Sequence, residues 1–263
     1  MLFSWLKKRR RRKILADPFP PAWQATLHDR VGHYAVLDNA ERQKLRDAVQ
    51  ILLAEQEWEG CRGLDLQDEM RVTIAALAAI LILGFDDFYF DNVQTILVYP
   101  DEFVVKQERG LSGGASVEEE SERLGEAHYR GPVILSWKEI HDNARQPGYG
   151  QNLVFHEFAH KLDLLNGAFD GTPDLPSGDL AERWAKIMDV EYRRLQRAER
   201  RHRRTLLDPY GATDPAEFFA VTTECFFDAP QAMHAEYPAL YELFRDYYRQ
   251  DPAKWRPFDQ IHS

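Results

Sequence analysis

The stretch Leu153-Val154-Phe155-His156-Glu157-Phe158-Ala159-His160-Lys161-Leu162-Asp163 decides how the rest of the chain is read. Leu153, Val154, Phe155, Phe158 and Leu162 supply the apolar contacts of a buried helix. On a helix, positions i and i+4 share a face one turn apart. His156 and His160 can therefore both reach one Zn²⁺ at about 2.0–2.1 Å. Glu157 stands beside the first imidazole and can take the proton of a water held at that ion. The pattern H-E-x-x-H is specific here, because the chain holds only nine histidines. The competing reading is a pair of core histidines that fall one turn apart.

A catalytic zinc needs a third protein ligand and an open fourth position. The metzincin extension would place Gly and His where this chain has Asp163 and Asn166, which excludes that class. A ligand must come from downstream, and Asp214-Pro215-Ala216-Glu217-Phe218-Phe219-Ala220-Val221 offers one. Glu217 and Glu224 are seven residues apart, about 20° on a helix, and so share a face. Two readings of Glu217 stay open on spacing. It is a ligand, or it closes a capping box with Asp214 ahead of Pro215. Glu224 reads either as an outer carboxylate of the site or as a structural group on a buried donor. Asp163 either orients a ligand imidazole through its second nitrogen or is a polar group at the helix end.

Working outward, the pattern is helices, then a small sheet, then helices, which makes the fold class α+β. Asp38 and Glu41 form a capping-box signature ahead of an apolar stripe at Leu45, Val49, Leu52 and Leu53. A second helix covers roughly 68–83 and ends at Gly84. Thr95–Tyr99 reads as a strand stopped by Pro100, with Phe103–Val105 as a companion and a glycine-rich loop over 110–125. Gly131–Trp137 reads as a strand that starts at a proline, which favours a sheet edge. Further helices are expected near 152–165, 179–199, 215–228 and 230–249.

The chain has 263 residues, 44% apolar and 12% aromatic, enough for a sizeable core and too apolar for a disordered chain. Two cysteines exclude a disulfide scaffold and a thiolate zinc ribbon. No apolar run reaches the roughly 18 residues of a membrane span, and no secretory signal is evident, so a cytoplasmic protein is expected. The net charge is −10, but residues 7–13 carry +7, which leaves −17 on the remainder. An acidic body argues against direct nucleic-acid binding. Residues 1–17 read as a basic, disordered tail capable of weak membrane-surface contact, and 18–263 as a single domain.

His156–Asp163, followed by Pro209-Tyr210-Gly211-Ala212-Thr213-Asp214-Pro215-Ala216-Glu217-Phe218-Phe219-Ala220-Val221, resembles the Mlc titration factor A family of bacterial zinc-dependent peptidases. The same segments are similar to the catalytic domain of anthrax lethal factor. The resemblance implies a zincin-like fold, with a small sheet packed on the H-E-x-x-H helix. It implies one Zn²⁺ held by His156, His160 and Glu217, a gluzincin-like ligand set. It also implies that Tyr210 stands near the metal, where its phenol can donate to the oxyanion of a tetrahedral intermediate. The family is linked to aminopeptidase-like cleavage and to regulation of transcription through binding of the glucose-uptake repressor Mlc.

The expected reaction is metal-assisted peptide hydrolysis, with Glu157 as general base and then proton donor to the leaving amine. Val133–Leu135 is either the edge strand that pairs with a substrate backbone or an ordinary core strand. A second reading makes the zinc site structural and the protein a binder that sequesters a transcription factor. Its motifs are Tyr237, Tyr241, Phe244, Tyr247 and Tyr248, and the arginines between 193 and 204. The plainer interpretation of those is core aromatics and a solvated helix face. A third, weaker reading is DNA binding through residues 7–13.

Overall fold

A computed structural model of the chain describes residues 2–101, 131–145, 148 and 150–255. Four helices come first: α1 (Leu2–Ile14), α2 (Pro21–Arg30), α3 (Gly32–Val36) and α4 (Asn39–Glu55). Strand β1 (Glu57–Gly60), helix α5 (Asp68–Leu81), and strands β2 (Thr95–Tyr99) and β3 (Val133–Ser136) follow. The last part holds α6 (Trp137–Ala144), α7 (Leu153–Asp163), α8 (Gly178–Glu199), α9 (Pro215–Asp228), α10 (Pro230–Glu236) and α11 (Pro238–Tyr248). The expected α+β class is observed. Among the described residues, no helix is long and apolar enough to cross a membrane.

Two helices form the centre. Every residue of α5 from Val72 to Leu81 is buried, and so is every residue of α9 from Phe218 to Asp228. Helices that are apolar on all sides must be surrounded. α4 packs on α5, and α7 packs on both α5 and α9. α4 starts at the expected capping box. Asp38 Oδ1 accepts from the Ala40 and Glu41 amides at 2.8 Å each, and Glu41 Oε2 accepts from the Asp38 amide at 2.9 Å.

The sheet is parallel throughout, in the order β1-β2-β3, with Trp58 beside Ile96 and Ile96 beside Val133. Parallel neighbours need a crossover, which α5 supplies between β1 and β2. β3 pairs with β2 alone among the described residues and packs on α7, which agrees with its start beside Pro132. Lys161 of α7 fastens that edge: its ammonium donates to the Gly131 carbonyl at 2.8 Å.

Several expectations are revised. Residues 2–14, expected as part of a solvated tail, form α1, because Arg11 is nearly buried in an acidic seat. Its guanidinium donates to Glu55 Oε2 at 2.7 Å and to Asp91 Oδ1. Strand β1 and helices α2 and α3 are too short and too weakly periodic to stand out in the sequence. The single helix expected over 230–249 divides at Pro238, which has no N–H to continue a helix. Tyr237, Tyr241, Phe244, Tyr247 and Tyr248 are all buried, so they are core. Arg193 and Arg194 pair within α8, with Asp189 and Glu191. The strand read at 103–105 and the loop read at 110–125 lie outside the described residues.

One clasp joins the end of α7 to the start of α9. Asp163 is fully buried and its Oδ2 accepts from the Gly171 amide at 2.9 Å. The Gly171 carbonyl accepts from the Trp184 indole at 3.0 Å. Gly171 has φ +76°, and a Cβ there would stand 2.2 Å from the Pro215 carbonyl oxygen, so only glycine fits. Burial outweighs the amide bond and pushes the Asp163 carboxyl up to about 7. A carboxyl whose pKa is raised on folding contributes stability below its unfolded pKa of about 4 and loses it as pH rises through 7. The Asp163→Asn variant should therefore gain stability relative to wild type as pH rises from about 4 to about 7, by at most about 1.4 kcal/mol for each step of one in pH. Urea denaturation across that range is the check, and a pH-independent difference would contradict the assignment.

Candidate metal centre

Two caps aim the helices that build the site. The Asn152 side chain accepts from the Phe155 amide at 3.2 Å and starts α7. Asp214 Oδ1 accepts from the Glu217 amide at 2.9 Å and starts α9, with Pro215 at the first helical position. Asp214 thus performs its half of a capping box. The Glu217 carboxylate does not return the bond but turns to the histidines of α7.

His156 and His160 lie one turn apart, ring centroids 4.8 Å apart, with their Nε2 atoms 3.1 Å from each other. Glu217 Oε2 stands 2.9 Å from His156 Nε2 and 3.6 Å from His160 Nε2. The approach to His156 is a charge contact and not a directed hydrogen bond, since this buried oxygen has no hydrogen-bond partner among the described residues. Three donor atoms, one per residue, converge on one point, and this cluster could hold a metal ion. A convergence of lone pairs in a half-buried site is what a divalent cation satisfies.

Glu224 lies on the other side of His156. Its Oε1 is 2.8 Å from His156 Nδ1, and its Oε2 accepts from the Asn152 amide at 2.5 Å. Glu224 thus stands against a ring nitrogen of His156 and on a buried backbone donor at once. Asp163 does not reach either imidazole and is held in the Gly171 clasp. Asn152 and its cap escape the sequence reading; the polar residue directly before the apolar run Leu153–Phe155 is the available signal.

The electrostatics agree with the geometry. Burial disfavours the His156 imidazolium, but the Glu217 and Glu224 carboxylates outweigh it and hold the ring's pKa up at about 10. Burial pushes the Glu217 carboxyl up, and contact with His156 and His160 overrides it, so its pKa falls far below the usual range. Carboxylates on both sides of the His156 ring thus favour a cation between them, whether proton or metal.

Glu157 is half-buried on α7. Its charge favours the protonated forms of His156, Lys161 and Tyr210, so all three lie within its field. Lys161 is buried, which pulls its pKa down to about 8. Tyr210 sits on the turn Pro209–Ala212, whose start is capped by Asp208 accepting from the Tyr210 amide at 2.8 Å. Gln151 donates to the other Asp208 oxygen at 2.7 Å, which ties this turn to the segment before α7. The phenol donates to Glu217 Oε1 at 3.2 Å, and its ring is 6.0 Å from that of His156. Burial, then the charge of Glu217, raises its pKa to about 12, so it remains a donor at neutral pH.

A donor triad on two packed helices, with a carboxylate behind one imidazole and a general-base candidate beside it, defines a metal-dependent hydrolase class of site. The chain matches the glucose-regulated metallo-peptidase M90 family over residues 5–249 and belongs to that family. It is 40% identical over 249 residues to an uncharacterized protein of Synechocystis, covering 94% of this chain and 90% of the relative. It is 34% identical to Mlc titration factor A of Serratia proteamaculans, covering 82% of each chain. It is 30% identical to Mlc titration factor A of Yersinia pestis over 94% of this chain and 89% of that one.

Losing a carboxylate behind a metal-ligating imidazole typically weakens metal binding about 10–100-fold. The Glu224→Gln variant should show that loss in competition with a chromophoric chelator while its far-UV spectrum stays unchanged. Wild-type affinity in that variant would remove Glu224 from the site.

Proposed function

We propose that this protein is a zinc-dependent, zincin-like peptidase, aminopeptidase-like in substrate, with His156, His160 and Glu217 as the ligands of one Zn²⁺. The observation that carries the proposal is the size of the donor triangle. Tetrahedral ligands at 2.0–2.1 Å from Zn²⁺ stand about 3.3 Å apart. The edges here are 2.9, 3.1 and 3.6 Å. Two imidazoles and one carboxylate also suit zinc by ligand type.

Zinc bound there would acidify a water and polarise a substrate carbonyl. Glu157 takes a proton from the attacking water and delivers it to the leaving amine. Tyr210 turns its hydroxyl from Glu217 toward the carbonyl oxygen as negative charge gathers there. Glu224 keeps the His156 ring oriented through Nδ1. The outer edge of β3, unpaired among the described residues and fastened to α7 by Lys161, offers backbone groups to an extended peptide. Two free cysteines, Cys61 and Cys225, suit a reducing, cytoplasmic setting.

A second role in regulating transcription, binding of a Mlc-like repressor, is supported by the name of the Serratia and Yersinia relatives. The two roles separate experimentally. Glu157→Gln should abolish hydrolysis of short peptides, by at least about 10³-fold, while metal content by elemental analysis stays at wild type. Full activity in that variant would overturn the mechanism. Capture of a Mlc-like repressor undiminished by Glu157→Gln would assign binding to a separate surface. Tyr210→Phe should lower kcat about 10²-fold with little change in KM. An equal rise in KM with kcat intact would make Tyr210 a substrate-binding group instead.

A further inference from the structure

Helix α1 is fixed to the body along one face. Arg11 reaches Glu55 and Asp91 and lies over the Tyr89 ring at 4.5 Å. Lys7 pairs with Asp91 and Lys8 with Asp87, each at 2.6 Å. These contacts set the rotation of the helix about its axis. At about 100° per residue, Arg12, Trp5, Arg9, Lys13 and Leu6 then fall within an arc of about 120° turned away from the body. All five are exposed. Trp5 is 54% and Leu6 47% exposed, two of only four large apolar side chains so exposed among the described residues.

We propose that this outward face of α1 docks the protein on an anionic lipid bilayer. Lys7, Lys8 and Arg11 are neutralised by carboxylates of the body, whereas no carboxylate among the described residues pairs with Arg9, Arg12 or Lys13. The outward face is therefore cationic on a chain whose remainder, outside residues 7–13, carries −17. That remainder is repelled by an anionic surface, so α1 is the element that faces it. The three cations meet lipid phosphates, and the indole and leucine, on the same face nearer the helix N-terminus, enter the headgroup boundary. Duplex nucleic acid fits the same face less well, because its phosphate ridge has no use for an exposed Trp and Leu beside the charges. The inference is independent of the metal centre.

The test is co-sedimentation of the full chain with vesicles of phosphatidylcholine mixed with phosphatidylglycerol, against vesicles of phosphatidylcholine alone. Binding to the mixed vesicles should be at least about tenfold tighter and should weaken with salt. The triple variant R9Q/R12Q/K13Q should lose about a hundredfold. Trp5→Ala should weaken binding and remove a blue shift of tryptophan emission. Melting midpoints and circular dichroism check that both variants keep the fold. Absent binding, equal binding to both vesicle types, or wild-type binding by the triple variant would overturn the proposal. Tighter binding to a short DNA duplex, unchanged by Trp5→Ala, would overturn it in favour of nucleic acid.

Discussion

One imidazole, that of His156, is held between two carboxylates carried by a single helix. Glu217 meets its Nε2 at 2.9 Å and Glu224 its Nδ1 at 2.8 Å. A seven-residue step brings a helix back to nearly the same face, so α9 can grip both edges of a ring only if it lies flush against α7. The packing of these two buried helices, the clasp at Gly171 and the caps at Asn152 and Asp214 all serve that approach.

Concentrating so much charge in a half-buried place is costly unless each group is paired or bound to a cation. The protein answers with partners for most of these groups. Glu224 takes the Asn152 amide and the His156 ring, Asp163 takes the Gly171 amide, and Lys161 donates to the Gly131 carbonyl. Some buried atoms stay without a hydrogen-bond partner among the described residues: Glu217 Oε2, His160 Nδ1, Asn152 Nδ2 and Asp163 Oδ1. Of these, Glu217 Oε2 faces the Nε2 atoms of both histidines, where a cation would meet all three.

The fold places an extended edge and a phenol around that centre. β3 lies on α7 with its outer side unpaired among the described residues, and Lys161 couples it to the helix that carries both histidines. Tyr210 comes from a turn between α8 and α9 and is tied to the start of α7 through Asp208 and Gln151. Elements distant in the chain thus meet the same two helices.

His156, Glu157 and His160 are legible from spacing alone, because helix geometry by itself puts i and i+4 on one face. The α+β order, the Asp38 cap and the 133–136 strand itself are legible for the same local reasons. Glu217 cannot be settled that way. Asp214 does cap the helix, and only the packing of α9 on α7 shows the carboxylate pointing to the histidines instead of back to its own cap. The grip of Glu224 on His156, the release of Asp163 to a glycine loop, and the docking of α1 through Arg11 are likewise tertiary facts. Each joins residues between eight and eighty positions apart. Local periodicity reports which face a side chain occupies, but the partner across that face is chosen by how the helices stack.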